Sequence, residues 1–244
     1  MRGEVPAWAI SGWVAESDDI APVPHIILPH AEASIAVLQR GNNMQILVCG
    51  PAQVPRIHQP CAGERLIGIS LSPETMTRCF DLHPPEWEQK VEPAPPSLIT
   101  KLEPALEAMR TLSGKAALQI WIDALAGQVA CELDPQTVEH YVASQMRARH
   151  GNLRLSRLSD EFGLSSRQMR RRFIDLMGIS PKTFARQLRL AKIMARADQS
   201  PNPDWADLAY ETGYCDQSHF VRECRSLTSH TPSQIHTNRQ MLSV

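Results

Sequence analysis

The spacing of apolar positions divides the chain into a front that reads as strands and a back that reads as helices. Between residues 1 and 92 the apolar runs are short: Ile26–Leu28, Ser34–Leu38, Gln45–Val48 and Leu66–Leu71. Pro, Gly and Asn punctuate them, as in Arg40-Gly41-Asn42-Asn43 and Gly50-Pro51. Gly and Asn accept the backbone angles of tight turns, so the runs predict short strands in a small barrel or sandwich. Ser72-Pro73-Glu74 predicts a helix start, with Ser72 as N-cap and Pro73 in the first position.

Glu92-Pro93-Ala94-Pro95-Pro96 reads as a semi-rigid connector. From Ser97 to Cys131 the period becomes helical. Leu98, Leu102, Leu106 and Met109, then Leu118, Ile122, Leu125 and Val129, put apolar side chains on one face. Two linker helices follow, broken near Ser113-Gly114, and packing on the front domain is preferred over a dimer interface. Asp134 and Pro135 read as the cap and first position of another helix, on which Val138, Tyr141, Val142 and Met146 share a face and Gly151 is the stop. The expected organisation is α+β. Residues 1–92 form a β-rich domain, 93–132 a proline-rich connector with linker helices, and 133–244 an all-α domain.

A pattern recurs inside that last domain. Leu158 to Pro181 and Leu208 to Pro232 align, with Leu158 on Leu208, Gly163 on Gly213, Met169 on Phe220, Phe173 on Cys224, Leu176 on Leu227 and Pro181 on Pro232. Each copy predicts a short helix, a glycine turn and a longer helix. In the first, Met169, Phe173, Leu176 and Met177 form the inner face, while Ser166, Arg167, Arg170, Arg171 and Ile174 point away. Asp175 is that helix's one acid. In the second, Phe220, Cys224 and Leu227 face inward and Gln217, Ser218, Val221, Arg222 and Arg225 outward. Arginine forks match guanine edges and phosphate oxygens, glutamine matches adenine, and valine matches a thymine methyl, so both outer faces suit a DNA major groove. Arg172 lies on the flank, suited to phosphate or a carboxylate. A continuous helix from Pro181 to Arg196, striped by Phe184, Leu188, Ala191 and Ala195, would set the separation of the two. Adjacent major-groove segments on one DNA face lie about 34 Å apart, and a shorter separation requires bent DNA.

Charge changes the picture where composition alone misleads. The net charge is −1, yet residues 133–244 carry +5 and residues 1–132 carry −6. A basic back beside an acidic front fits a DNA-facing module joined to one that avoids DNA. Cys49, Cys61, Cys79, Cys131, Cys215 and Cys224 include no Cys-x-x-Cys pair, which argues against a zinc ribbon or a redox motif. Met1–Ile10 lacks the apolar run of a signal peptide, and no apolar stretch is of membrane-spanning length. A cytoplasmic protein with reduced thiols is expected.

The motifs Arg172-Phe173, Gly178-Ile179-Ser180-Pro181, Arg189-Leu190, Leu208-Ala209, Gly213-Tyr214, Gln217-Ser218-His219-Phe220, Arg222 and Thr231-Pro232, in this order, resemble the AraC/XylS transcription regulators. The resemblance spans about residues 135–237. It implies a seven-helix domain with two helix-turn-helix units behind an effector or dimerisation domain, often acting through contact with RNA polymerase. Carried over by position, base reading falls on Arg167, Arg170, Arg171, Gln217, Ser218 and Arg222. The chain departs from the family pattern at three places. Cys224 stands for the usual aromatic, Ser229 for the usual glycine, and Ile235-His236 for an aromatic-arginine pair. The small Cys224 side chain predicts a looser second unit and a first unit that carries more of the affinity.

The front resembles cupin-like sensor domains through Leu28-Pro29-His30 and Gly50-Pro51. Neither a metal site from His25, His30 and His58 nor a ligand pocket from Trp8, Trp13 and Trp87 is required by spacing, and core or surface roles are preferred. These readings together predict a non-enzymatic, sequence-specific activator. Its partner is double-stranded DNA, without cofactor or membrane, with a small-molecule effector, RNA polymerase and a second copy as further partners. A cupin-type metalloenzyme or a DNA-repair protein with the same DNA-binding unit is the alternative. The repair reading needs clustered cysteines that this sequence lacks.

Overall fold

The computed structural model describes residues 2–3, 5–6, 8–17, 24–112, 114–129, 137–153 and 155–240. In chain order the strands are β1 (Arg2–Gly3), β2 (Ala9–Glu16), β3 (His25–Ile27), β4 (Ala33–Arg40), β5 (Asn43–Cys49), β6 (Arg56–His58), β7 (Glu64–Leu71) and β8 (Val91–Pro93). The helices are α1 (Pro73–Phe80), α2 (Pro96–Met109), α3 (Gly114–Ala126), α4 (Val138–Ala148), α5 (Leu155–Glu161), α6 (Ser166–Met177), α7 (Pro181–Ala197), α8 (Trp205–Glu211), α9 (Gln217–Thr228) and α10 (Pro232–Gln240). Two compact units result. One contains Met1–Pro22, Glu32–Pro51 and Pro60–Pro135; the other contains Val23–Ala31, Ala52–Gln59 and Gln136–Val244.

The first unit is an antiparallel six-stranded sheet in the order β1-β2-β7-β4-β5-β8. It is open: β1 and β8 are its two edges, so of the expected barrel or sandwich the barrel does not close, and one sheet has helices against it. Alternation places Ile35, Val37, Ile46, Val48, Ile67, Ile69 and Leu71 in one core with Leu98, Leu102 and Met109 of α2 and Leu118, Trp121, Ile122 and Leu125 of α3. The Trp121 indole donates to the Ile35 carbonyl at 3.1 Å. The linker helices therefore pack on the sheet. Glu92 and Pro93 belong to edge strand β8, and Pro95 is the N-cap of α2, so the prolines end a sheet and begin a helix. Ser72 caps α1 as its position predicts, accepting from the Thr75 amide. Trp8 and Trp87 pack against the core. Trp13 lies on Gly68, where a Cβ would come within 2.1 Å of the ring. Asp134 and Pro135 lie outside the described residues.

The second unit holds α4 to α10 around two cores. Val142, Met146, Leu158, Met169, Phe173, Met177 and Phe184 build one. Leu190, Ile193, Met194, Tyr214, Phe220, Cys224, Leu227 and Ile235 build the other. The middle helix α7 serves both, with Phe184 and Ala185 in the first and Leu190, Ile193 and Met194 in the second. A single stripe through Leu188, Ala191 and Ala195 is thereby corrected: Ala191 is exposed and the other two are half-buried, because the helix is covered on different sides along its length.

This unit also includes an antiparallel ribbon of β3 and β6, with His25 opposite His58. Asn238 of α10 accepts from the Ile26 amide at 3.0 Å and donates to the Pro24 carbonyl at 2.6 Å. Buried Gln187 of α7 donates to the Ala52 carbonyl at 2.8 Å, and Ala31 enters the first helical core. Among the described residues, no helix is long and apolar enough to cross a membrane.

Candidate nucleic-acid interface

Both repeated helices begin and end on signals written beside them. Ser165 caps α6 by accepting from the Gln168 amide at 3.2 Å, and Gln168 accepts in return from the Ser165 amide at 2.9 Å. Gly178 ends α6 in the left-handed region at φ 74°. Asp216 caps α9, its carboxylate accepting from the His219 amide at 2.7 Å, which also places negative charge at the positive end of the helix dipole. The turns before these helices carry Gly163 at φ 62° and Gly213 at φ 88°. A side chain at Gly213 would also strike Asn152, whose amide donates to the Thr212 carbonyl at 3.1 Å.

The cores fix which face turns outward. Met169, Phe173 and Met177 are buried on α6, and Phe220, Cys224 and Leu227 on α9. Opposite them Ser166, Arg167, Arg170 and Arg171 are exposed on α6, and Gln217, Ser218 and Arg222 on α9. Val221 is half-buried against the second core, so only part of it faces outward. The ion-pair census separates two kinds of arginine. Arg172, Arg186, Arg189, Arg196 and Arg239 each meet a carboxylate. Among the described residues Arg167, Arg170, Arg171 and Arg222 meet none. Unpaired guanidiniums on two duplicated, capped helices are chemically suited to phosphates and guanine edges.

The second helix-turn-helix compensates for its small Cys224. The aromatic sits one turn earlier, at Phe220, stacked on Trp205 with centroids 5.9 Å apart and tilted against Tyr214 at 5.3 Å. In the first helix-turn-helix the order is reversed, with Met169 followed by Phe173, which lies 5.5 Å from Phe184. Burial pushes the Cys224 thiol up to about 11, so it stays neutral and acts as a core group. Ile235 is fully buried, and His236 lies edge-on to Trp205 at 5.9 Å.

Ser229 occupies the left-handed C-cap of α9 at φ 61°, the counterpart of Gly178. A Cβ is disfavoured there, so Ser229→Gly is expected to stabilise the protein by about 1 kcal/mol. Thermal melting should rise by about 2–4 °C, and a fall would show that the serine is adapted to its site.

Sequence reasoning missed Glu223. Its carboxylate accepts from Tyr214 Oη at 2.7 Å, Arg186 Nε at 3.2 Å and Arg189 at 3.1 Å. Burial alone would raise its pKa, but the Tyr214 hydrogen bond and the Arg189 and Arg186 charges outweigh it and hold the carboxyl below its ordinary range. Burial and Glu223 in turn push the Tyr214 phenol upward. One acid on an otherwise basic helix carried no local signal of this.

In the front half, His25 and His58 face each other on the ribbon, and burial, Arg239 and His58 lower the His25 pKa. Among the described residues, no three His, Cys, Asp or Glu side chains gather as a metal site. In the first unit a shallow cleft of about 270 Å³ is lined by polar groups including Glu16, Gln39, Glu64, Arg65 and Arg110.

Two glycine-turned helix pairs flanking a shared helix define a tandem helix-turn-helix class. Residues 158–238 match the family model described as a helix-turn-helix domain. This stretch is a helix-turn-helix domain of the AraC type, a DNA-binding element of transcription regulators. The fold is similar to ToxT of Vibrio cholerae. A ligand-free point variant of ToxT is 10% identical, with 96% of this chain and 99% of that chain covered at a TM-score of 0.52. ToxT bound to (E)-4-(8-methylnaphthalen-1-yl)but-3-enoic acid is 12% identical, with 93% and 98% covered at a TM-score of 0.50. At such identity the likeness is one of fold. No curated protein matches the chain in sequence.

Proposed function

We propose that this protein is a sequence-specific transcription activator that reads two neighbouring major-groove segments. The observation that carries this reading is the set of exposed arginines on both repeated helices that meet no carboxylate, beside other arginines of the same unit that are paired. Arg167, Arg170 and Arg171, with Ser166, read one box; Gln217, Ser218 and Arg222, with the outer part of Val221, read the other. The sheet unit receives the signal. A small-molecule effector belongs to this reading, and a fold neighbour, ToxT, has been solved with a carboxylic acid bound. Action in the cytoplasm through RNA polymerase, as a homodimer, completes the proposal.

Selection of genomic DNA fragments on purified full-length protein, followed by sequencing, tests it. An asymmetric site with two boxes about one helical turn apart is expected, with affinity falling steeply as salt rises. Enrichment no better than random DNA, with and without cell extract as a source of effector, would overturn sequence-specific reading.

A further inference from the structure

The two helix-turn-helix units share an ion-pair clasp at the same position, with the charges exchanged. Alignment of the repeats puts Arg172 opposite Glu223, each preceding the core residue Phe173 or Cys224. Arg172 of α6 reaches back to Glu139 of α4 at 3.4 Å. Glu223 of α9 reaches back to Arg186 and Arg189 of α7 at 3.2 and 3.1 Å. In both cases the partner lies on the helix that precedes the helix-turn-helix.

The two clasps differ in burial and in the number of partners. The Arg172 side chain is 49% exposed and makes one long contact, which water and salt screen. The Glu223 side chain is 10% exposed and holds three partners at once. Its neighbours extend the clasp. Arg189 lies over the Tyr214 ring at 5.4 Å and donates to the Gly151 carbonyl, just past α4, at 3.4 Å. Arg186 donates to Ser226 Oγ, one turn further along α9, at 3.0 Å. One carboxylate thus connects the second reading helix, its preceding turn and the shared helix α7, and through Arg189 the loop after α4.

Packing leaves this clasp something to do. In α6 the ring of Phe173 sits next to Arg172 and resists rotation of the helix about its axis. In α9 the equivalent position is Cys224, and the ring has moved a turn earlier to Phe220. Beyond Phe220, small and aliphatic contacts resist rotation weakly, and Glu223 lies there. Successive helical residues are turned by about 100°. Fixing Glu223 inward therefore fixes the direction in which Arg222 points.

We infer that Glu223 is a positioning residue: without touching DNA, it sets the rotation of α9 and so the base reading of the second box. This rests on the DNA-binding reading above. The test uses full-length protein with Glu223→Gln, Glu223→Asp and Arg172→Gln, on the selected site with either box randomised. Glu223→Gln should lose about 10- to 100-fold in affinity and relax base preference in the second box only. Glu223→Asp should recover part of the preference, and Arg172→Gln should leave it within about 3-fold of wild type, as expected for a screened pair. Loss of fold alone would lower occupancy of both boxes together and leave preferences unchanged, and that outcome overturns the inference. Should Glu223→Gln fail to fold, Tyr214→Phe removes one arm of the clasp and is expected to shift second-box preference in the same direction. Hydrogen exchange separates this idea from the reading beneath it. Faster exchange along α9 with α6 unchanged is expected whether or not a DNA site is found, and identical exchange in both helices would overturn it.

Discussion

Replacing Arg167, Arg170 and Arg171 together by alanine is expected to cut affinity for the selected DNA site by about 10²- to 10⁴-fold while leaving thermal melting unchanged. Each base contact by arginine discriminates by about 1–3 kcal/mol, and two such contacts reach this range. The fold should survive because the three side chains are exposed and pair with no carboxylate among the described residues. Alanine favours helix, and the Ser165 and Gln168 capping box is untouched. Electrophoretic mobility shift at several salt concentrations measures the effect. The slope of log affinity against log salt should become shallower by about 1 for each phosphate contact removed. Singly, Arg171→Ala should cost more than Arg222→Ala, since the first reading face carries more positive charge. Wild-type affinity in the triple variant would sink the assignment of this face.

Phe173→Ala is expected to destabilise the helical unit by about 3–5 kcal/mol, a large part of the about 5–15 kcal/mol that holds a typical domain. Phe173 is fully buried against Phe184, and its removal leaves a cavity between α6 and α7. Cys224→Ala, at the aligned position of the second helix-turn-helix, removes one sulfur and should cost about 1 kcal/mol. Thermal melting compares them directly. Equal losses would mean that the second core does not rely on Phe220 and Trp205 for its volume.

The two longer helices of the repeat, α6 and α9, were legible because an apolar stripe, a glycine turn before it and a capping residue type agree. Gly163 and Gly213 marked the turns before α6 and α9, and the caps found there, Ser165 and Asp216, are residue types that favour helix starts. The outward arginines followed by default once the inner face was known. Strand β2 was not legible, because Ala9–Glu16 mixes Gly12 and Ser11 with apolar residues on a strand half-buried on both faces. Strands β6 and β8 are three residues each, too short for alternation to register. Barrel closure depends on how far a sheet twists and on its edges, which local patterns do not carry. The two-sided burial of α7 defeated a single-stripe reading for the same reason. Glu223 and Gln187 acquire their roles from partners 34 and 135 residues away.

The ribbon of β3 and β6 has a consequence for synthesis. Ile26 and Asn238 are joined across 212 residues, so an early strand waits for a helix made much later. At about 5–20 residues per second, that wait lasts about 10–40 s on the ribosome. Both α6 and α9 are complete before α10 exists, and Gln187 can already hold Ala52, but the bonds of Asn238 to Ile26 and Pro24 come only with α10. A nascent chain interrupted in that interval would hold α6 and α9 on a support that lacks the bonds of Asn238 to the ribbon, so synthesis of α10 times when those bonds close.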